Sequence, residues 1–358
     1  MKTFSLAIHG GAGTIEKDKM SPELELAYRK ALAASLRAGS AVLGRGGSAV
    51  DAVEAAVAVM EDDPLFNAGK GSVLTHDEMV EMDAALMDGK TLAAGALCGV
   101  RHIKNPIKLA KDIMTQSEHV MLSGEGAEQF AFKVAGHEYT EQDYFFTDRR
   151  YDQLLETKAS GGVALSESAF PDDKKHGTVG AVAIDADGNL AAATSTGGVT
   201  NKRFGRVGDS PLLGAGTFAR NGNVAISATG MGEALLRCTV AGDIAGRMQY
   251  GGQSVSEACE AVIQGPLLDM SGEGGVIAID GNGVVHFEFN CPGMYRGRIN
   301  DEASQSWLFL PVSRCRHFKV FHGPIKKPLM RLFYWSLSER RALLIVRRWG
   351  LFCHAGKV

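Results

Sequence analysis

Cysteine is scarce in this 358-residue chain: Cys98, Cys238, Cys259, Cys291, Cys315 and Cys353 are widely scattered and form no Cys-x-x-Cys pair. That spacing excludes a zinc ribbon or a dithiol redox centre and reads as ordinary reduced thiols. No apolar run reaches membrane-spanning length, and Phe4-Ser5-Leu6-Ala7-Ile8 is too short for a signal-peptide core, so the expected location is the cytoplasm. A strong net charge is also lacking: −3 overall, with a pI of about 6.4, argues against general nucleic-acid binding. There is no Gly-x-Ser-x-Gly elbow and no His-Glu-x-x-His zinc helix. Gly44-x-Gly46-x-x-Ala49 follows a helical pattern instead of a strand, and Gly89-Lys90-Thr91 has Ala84 where a phosphate loop needs its upstream glycine. Neither cradles a phosphate.

What the chain has is apolar content, 45%, enough to bury a large core as one big α/β domain or two smaller ones. Several strand pairs joined by tight turns predict helices covering mainly antiparallel sheets in layers. A strand over residues 4–8 runs into His9-Gly10-Gly11-Ala12-Gly13, a tight glycine loop whose histidine reads by itself as a packed strand-end residue. Ser21-Pro22-Glu23 opens a helix ending near Leu43, and Ser48 caps another over 49–60. Residues 79–86 and 91–100 pair as a hairpin, Asn105-Pro106 opens a helix over 107–115, and a further helix covers 125–135. Residues 61–72, with acids, a proline and two glycines, read alone as a solvated turn, although their carbonyls could converge on a hard cation. Residues 139–175 are polar and read as a linker. After them come strands over 179–184 and 190–195 around Asp185-Ala186-Asp187-Gly188-Asn189, and a strand over 224–227 that turns at 228–233 into a helix toward Tyr250. A helix over 254–263 and a hairpin of 275–279 with 284–289 follow.

Four glycine-flanked polar stretches concentrate the chemistry: 176–180, 194–198, 206–209 and 229–232. They hold hydroxyls, one His, one Arg and one Asp, but a hydroxyl nucleophile still needs a base. On its own, Gly177-Thr178 only marks a β-branched residue opening a strand. A cut between the two would create an α-amino group, of pKa roughly 7.7 to 8.0, beside the Thr hydroxyl. One residue would then carry nucleophile and base. Arg206 and Asp209 read either as a mutual surface ion pair or as partners for an α-carboxylate and an α-ammonium.

Taken together, ordered stretches of this chain resemble the plant-type (type III) L-asparaginases and isoaspartyl peptidases among the N-terminal-nucleophile hydrolases. They are His9-Gly10-Gly11-Ala12-Gly13, Pro64-Leu65-Phe66-Asn67-Ala68-Gly69, Met82-Asp83-Ala84, Gly177-Thr178-Val179-Gly180, Thr194-Ser195-Thr196-Gly197-Gly198, Gly205-Arg206-Val207-Gly208-Asp209-Ser210-Pro211 and Thr229-Gly230-Met231-Gly232-Glu233. The resemblance implies an αββα four-layer sandwich, made as a precursor that cleaves itself between Gly177 and Thr178. Residues 1–177 would be the α chain, with 139–177 its linker, and 178–300 the β chain. It implies Thr178 as nucleophile, Thr196 as its hydrogen-bonding neighbour, and Thr229 with the Gly230 N–H as oxyanion hole. Arg206, Asp209, Thr229, Gly230 and Gly232 would bind substrate, and Asn67 would support the cleavage site. The backbone carbonyls of Met60, Glu61, Asp63, Phe66, Ala68 and Lys70 would hold a structural sodium ion, with no cofactor for catalysis. The implied assembly is a homodimer of α/β heterodimers that hydrolyses β-aspartyl dipeptides and L-asparagine, without nucleic acid or membrane partners for residues 1–300.

The resemblance stops after Tyr295-Arg296-Gly297. From Asp301 onward there are eleven Lys and Arg against three Asp and Glu, leaving residues 1–300 at −11, and all three tryptophans fall in this tail. Arg340-Arg341 through Trp349 has the pattern of a basic amphipathic helix, while a foreign or frame-altered tail is the plainer account. Two other readings stand beside the main one: a glycosylasparaginase-like amidase, and an inactive, uncleaved protein whose tail binds a membrane or a partner.

Overall fold

Two sheets lie face to face between two layers of helix, the αββα order expected from the sequence. The computed structural model describes residues 4–13, 20–160, 177–300 and 304–309, all within one compact unit, Met1–Arg314. The larger sheet runs β12 (Ser304–Phe309), β11 (Gly293–Asn300), β1 (Ser5–Gly13), β5 (Val179–Ile184), β6 (Leu190–Thr196), β2 (Met82–Asp88), β3 (Ala94–Val100) and β4 (Met121–Ser123). Only the β3–β4 pair is parallel. The smaller, antiparallel sheet runs β10 (Val285–Phe289), β9 (Gly274–Asp280), β8 (Val224–Gly230) and β7 (Thr217–Ala219). Helices α1 (Pro22–Gly44), α2 (Ala49–Glu61) and α3 (Pro106–Gln116) cover the larger sheet, with α4 (Gly124–Lys133) beside β3 and β4. Helices α7 (Val240–Gly251) and α8 (Val255–Val262) cover the smaller one.

The strand period of two sorts side chains into layers. Val179, Ala181, Ala183, Ala191 and Ala193 join Leu32, Val53 and Met60 under the helices, whereas Val182, Ile184 and Ala192 meet Ala7, Ala225 and Ile277 between the sheets. A third core sets Val224, Ile226 and Ala228 against Leu235, Ile244 and Val262. By the same alternation Thr178, Thr194 and Thr196 face the inter-sheet layer, opposite Ser227 and Thr229. Small residues let the sheets close there. A Cβ on Gly180 would lie 2.0 Å from Ser227 Oγ and 2.3 Å from His9 Nε2, so only glycine fits.

Helix starts follow local chemistry. Ser21 Oγ accepts from Leu24 N at 3.2 Å, Ser48 Oγ accepts from Asp51 N at 3.1 Å, and Ser254 with Glu257 forms a capping box. Each such cap stabilises its helix by about 1 kcal/mol. Asn105 departs from this: its Nδ2 donates to Asp62 Oδ1 at 3.1 Å and no side-chain cap forms. Where the structure corrects the sequence reading, a distant partner is the reason. Residues 9–13 are not a loop but a bulged strand end, because β11 pairs with β1 as far as Gly13. Strand β8 continues through Gly230 because β9 pairs with it there, and the helix beyond divides at Thr239 (φ 44°) into α6 (Gly232–Cys238) and α7. Within the polar stretch, α5 (Asp148–Ala159) forms, with Phe145 and Leu154 buried and Arg150 Nε donating to Gly71 O at 2.6 Å. The first part of the stretch read as a linker therefore carries ordered helix. Residues 161–176, and the basic amphipathic pattern at 340–349, lie outside the described residues.

Candidate active site

Thr178 sits just before β5, buried at the edge of the inter-sheet layer. Its Oγ1 donates to Thr196 Oγ1 at 3.2 Å; Thr196 in turn donates to Gly177 O at 3.1 Å and accepts from Gly198 N at 3.0 Å. Asn67 Nδ2 donates both to Gly177 O (2.8 Å) and to Gly198 O (2.7 Å), while its Oδ1 accepts from Val73 N (2.8 Å). The Gly177 carbonyl, one atom from the Gly177–Thr178 peptide nitrogen, is thus held by two neutral donors. Thr229 is fully buried, and its hydroxyl oxygen accepts from Ala12 N at 3.2 Å, which leaves its own proton to donate. Gly230 has φ 142°, and a Cβ there would lie 2.3 Å from Glu273 O.

A cavity of about 240 Å³ gathers Gly177, Thr178, Thr196, Arg206, Asp209, Gly230 and Gly232. Thr229 stands behind Gly230 and does not line it. Arg206 and Asp209 do not pair with each other. The Arg206 guanidinium forms a two-pronged contact with Glu233, Nε to Oε1 and Nη2 to Oε2, both at 2.9 Å. Asp209 is buried, and its Oδ2 has no hydrogen-bond partner. Burial pushes its carboxyl up to about 7, against the pull of its own backbone N–H and of Arg206. Gly232 lets both approach: a Cβ there would sit 2.5 Å from Arg206 Nη2 and 3.2 Å from Asp209 Oδ1. These separate sequence motifs converge because β5 begins, and β6 and β8 end, on one edge of the inter-sheet layer.

The profile of the family described as "Asparaginase" matches residues 1–309. The chain belongs to the asparaginase family. Members are self-cleaving threonine hydrolases that need no catalytic cofactor, and this chain is a hydrolase. It is similar to the isoaspartyl peptidase of Escherichia coli, 54% identical over 293 residues, covering 81% of this chain and 91% of that one. The isoaspartyl peptidase of Salmonella typhimurium is 52% identical over 298 residues (83% and 95%), and the isoaspartyl peptidase/L-asparaginase of Danio rerio is 40% identical over 320 residues (89% and 95%). The family match passes the point at which the resemblance was read to end. Its extra residues include β12, which pairs with β11 from Gly293↔Phe309 to Ile299↔Ser304.

The sequence reading missed part of the polar framework behind this asparaginase-family site. His9, fully buried, meets Thr178 O through Nδ1 (3.1 Å) and Ser227 Oγ through Nε2 (2.8 Å). A carbonyl only accepts, so Nδ1 carries the proton and Nε2 accepts. Burial holds this imidazole neutral, with its pKa down to about 3. The line continues from Ser227 to Thr194 (2.7 Å) and Thr217 (2.7 Å). The available signal was period two: Thr194 with Thr196, and Ser227 with Thr229. Glu233 was likewise quoted as part of a motif without being given its partner, Arg206.

In the loop proposed for a cation, Glu61 O accepts from Lys70 N (2.7 Å), Met60 O from Asp63 N (3.3 Å) and Asp63 O from Phe66 N (3.3 Å). Gly69 (φ 52°) and Gly71 (φ 100°) let the chain fold over inward carbonyls: a Cβ on Gly69 would lie 2.3 Å from Glu61 O, and one on Gly71 2.8 Å from Phe66 O. The loop is a tight backbone cradle and not a solvated turn. Among the described residues, no helix is long and apolar enough to cross a membrane.

Proposed function

We propose that this chain cleaves itself before Thr178 and then hydrolyses the side-chain amide bond of β-aspartyl (isoaspartyl) dipeptides and of L-asparagine, releasing L-aspartate. The observation that carries the reading is the single cavity shared by Gly177, Thr178, Thr196, Arg206 and Asp209. In the first reaction Thr178 Oγ attacks the Gly177 carbonyl carbon, whose oxygen is held by Asn67 and Thr196. The C–N bond breaks, the nitrogen takes a proton, and water hydrolyses the resulting ester to a Gly177 carboxylate and a free Thr178. In the second, the new α-amine takes the hydroxyl proton and Oγ attacks the substrate amide carbonyl. Thr229 and the Gly230 N–H stabilise the oxyanion, the amine or ammonia leaves with a proton, and water releases aspartate. Arg206 takes the aspartyl α-carboxylate and Asp209 its α-ammonium, with Gly232 giving both groups room.

The names of the relatives set this reading ahead of a glycosylasparaginase one. Three further expectations belong to it: a homodimer of processed chains, a cytoplasmic location, and a structural sodium ion held by carbonyls of Met60, Glu61, Asp63, Phe66, Ala68 and Lys70. Such an ion would fix the loop that carries Asn67. The test is aspartate release by the processed full-length protein from a β-aspartyl dipeptide, its α-aspartyl isomer and asparagine. Turnover of the β-linked compounds and not of the α-isomer is expected. Processed protein inert toward every β-aspartyl compound would sink the reading.

A further inference from the structure

Gly177 also lines a second cavity, of about 360 Å³, which Asn67 shares and Arg206 does not. Its other walls include the Gly10–Gly13 strand end, Tyr28, Arg149, Arg150 and Tyr295. Arg150 is buried; its Nε donates to Gly71 O (2.6 Å) and its Nη1 to Gln153 Oε1 (2.9 Å), both neutral acceptors. Arg149 reaches only the Tyr28 hydroxyl, at 3.4 Å. Among the described residues neither guanidinium has a carboxylate partner. The Tyr295 hydroxyl is buried with no hydrogen-bond partner, on a ring stacked 4.2 Å from that of Tyr28. A buried cation without a counter-ion costs several kcal/mol, and an orphaned buried hydroxyl adds to it. The buried Arg150 guanidinium and the orphaned Tyr295 hydroxyl leave a deficit that an anion with two acceptor oxygens would fill, and the solvent-exposed Arg149 lines the same cavity.

We propose that this cavity receives the carboxylate that self-cleavage creates on Gly177. The inference rests on cleavage before Thr178. Hydrolysis of the Thr178 ester adds a hydroxyl from water to the Gly177 carbonyl carbon, returns the Oγ its proton, and leaves a carboxylate where a neutral carbonyl had been. Its former partners, Asn67 Nδ2 and Thr196 Oγ1, are neutral donors, one lining each cavity, while the cationic groups lie on the Asn67 side. Gly177 is the wall between the two, and its backbone bonds can turn the new terminus from one to the other. Docking there clears the nucleophile's cavity for substrate and keeps a negative terminus away from the substrate's own carboxylate.

Carboxypeptidase digestion of the processed full-length protein, followed by intact mass of the α chain, tests this. Docking predicts an α chain that persists with Gly177 at its end, and trimming about tenfold faster in Arg149→Gln and in Tyr295→Phe, equivalent to about 1.4 kcal/mol of docking. Both variants should still process and turn over a β-aspartyl dipeptide. Equal trimming rates in wild type and variants overturn the proposal. Calorimetry with sodium acetate separates the source: acetate binding to wild type that Arg149→Gln abolishes, with Gly177 trimmed at one rate in both, assigns the cavity to free carboxylates and overturns the Gly177 assignment. Absence of any α chain ending at Gly177 overturns the cleavage reading itself, and is told apart by the mass alone.

Discussion

The two ends of the 240 Å³ cavity are built from opposite materials. At one end stand Thr178, Thr196 and Gly230, with Asn67 and Thr229 outside the lining, hydroxyls and amides with no ionised side chain, and even the imidazole behind them, His9, is neutral. At the recognition end stand Arg206, Glu233 and the buried Asp209. The contrast gives the proposed self-cleavage a chemical reason. No side chain at the neutral end is a ready base at neutral pH, and in the proposed reaction the amine that cleavage exposes takes that role. In the proposed reaction, charge is kept where it would select a zwitterionic aspartyl group and away from the reacting carbonyl.

That division can be broken from either end. Asn67→Ala removes a donor from the Gly177 carbonyl and should slow precursor cleavage by about 10² to 10³, the range for one oxyanion donor. Whatever fraction does process should turn over at a rate near wild type, read from gel densitometry against β-aspartyl hydrolysis. Equal losses in both would place Asn67 in the turnover chemistry instead. Asp209→Asn should act in the reverse way, leaving processing complete while kcat/KM falls by about 10². It also sharpens the comparison through pH. With its carboxyl raised to about 7, Asp209 is protonated, and unable to pair with an ammonium, as pH falls below that value. The α-amine, of pKa roughly 7.7 to 8.0, must lose a proton as well, so log kcat/KM should rise with pH at a slope of about two below pH 7. In Asp209→Asn the slope should drop to about one; an unchanged slope would mean that Asp209 does not titrate in this range.

The helices, the central hairpins and the layer order were legible because caps, turns and period-two patterns are local. Ser21 and Ser48 cap their helices as their neighbours dictate. What was not legible depends on distant partners: the strand character of residues 9–13 comes from β11, some 280 residues away, and α5 is held by Gly71. The site residues lay in glycine-flanked motifs, and the resemblance assigned their roles. The Arg206–Glu233 contact and the His9–Ser227–Thr194 line needed three dimensions, since the first joins a loop to α6 and the second crosses the inter-sheet layer.

The central claim is that Thr178 becomes the terminus and nucleophile of a second chain. Intact mass and N-terminal sequencing of the purified protein, beside a Thr178→Ala variant, test it most directly. The account predicts a smaller chain beginning at Thr178 in the wild type, and a single full-length, inactive species in the variant. β-Aspartyl turnover by Thr178→Ala, or a second chain beginning at another residue, would contradict it.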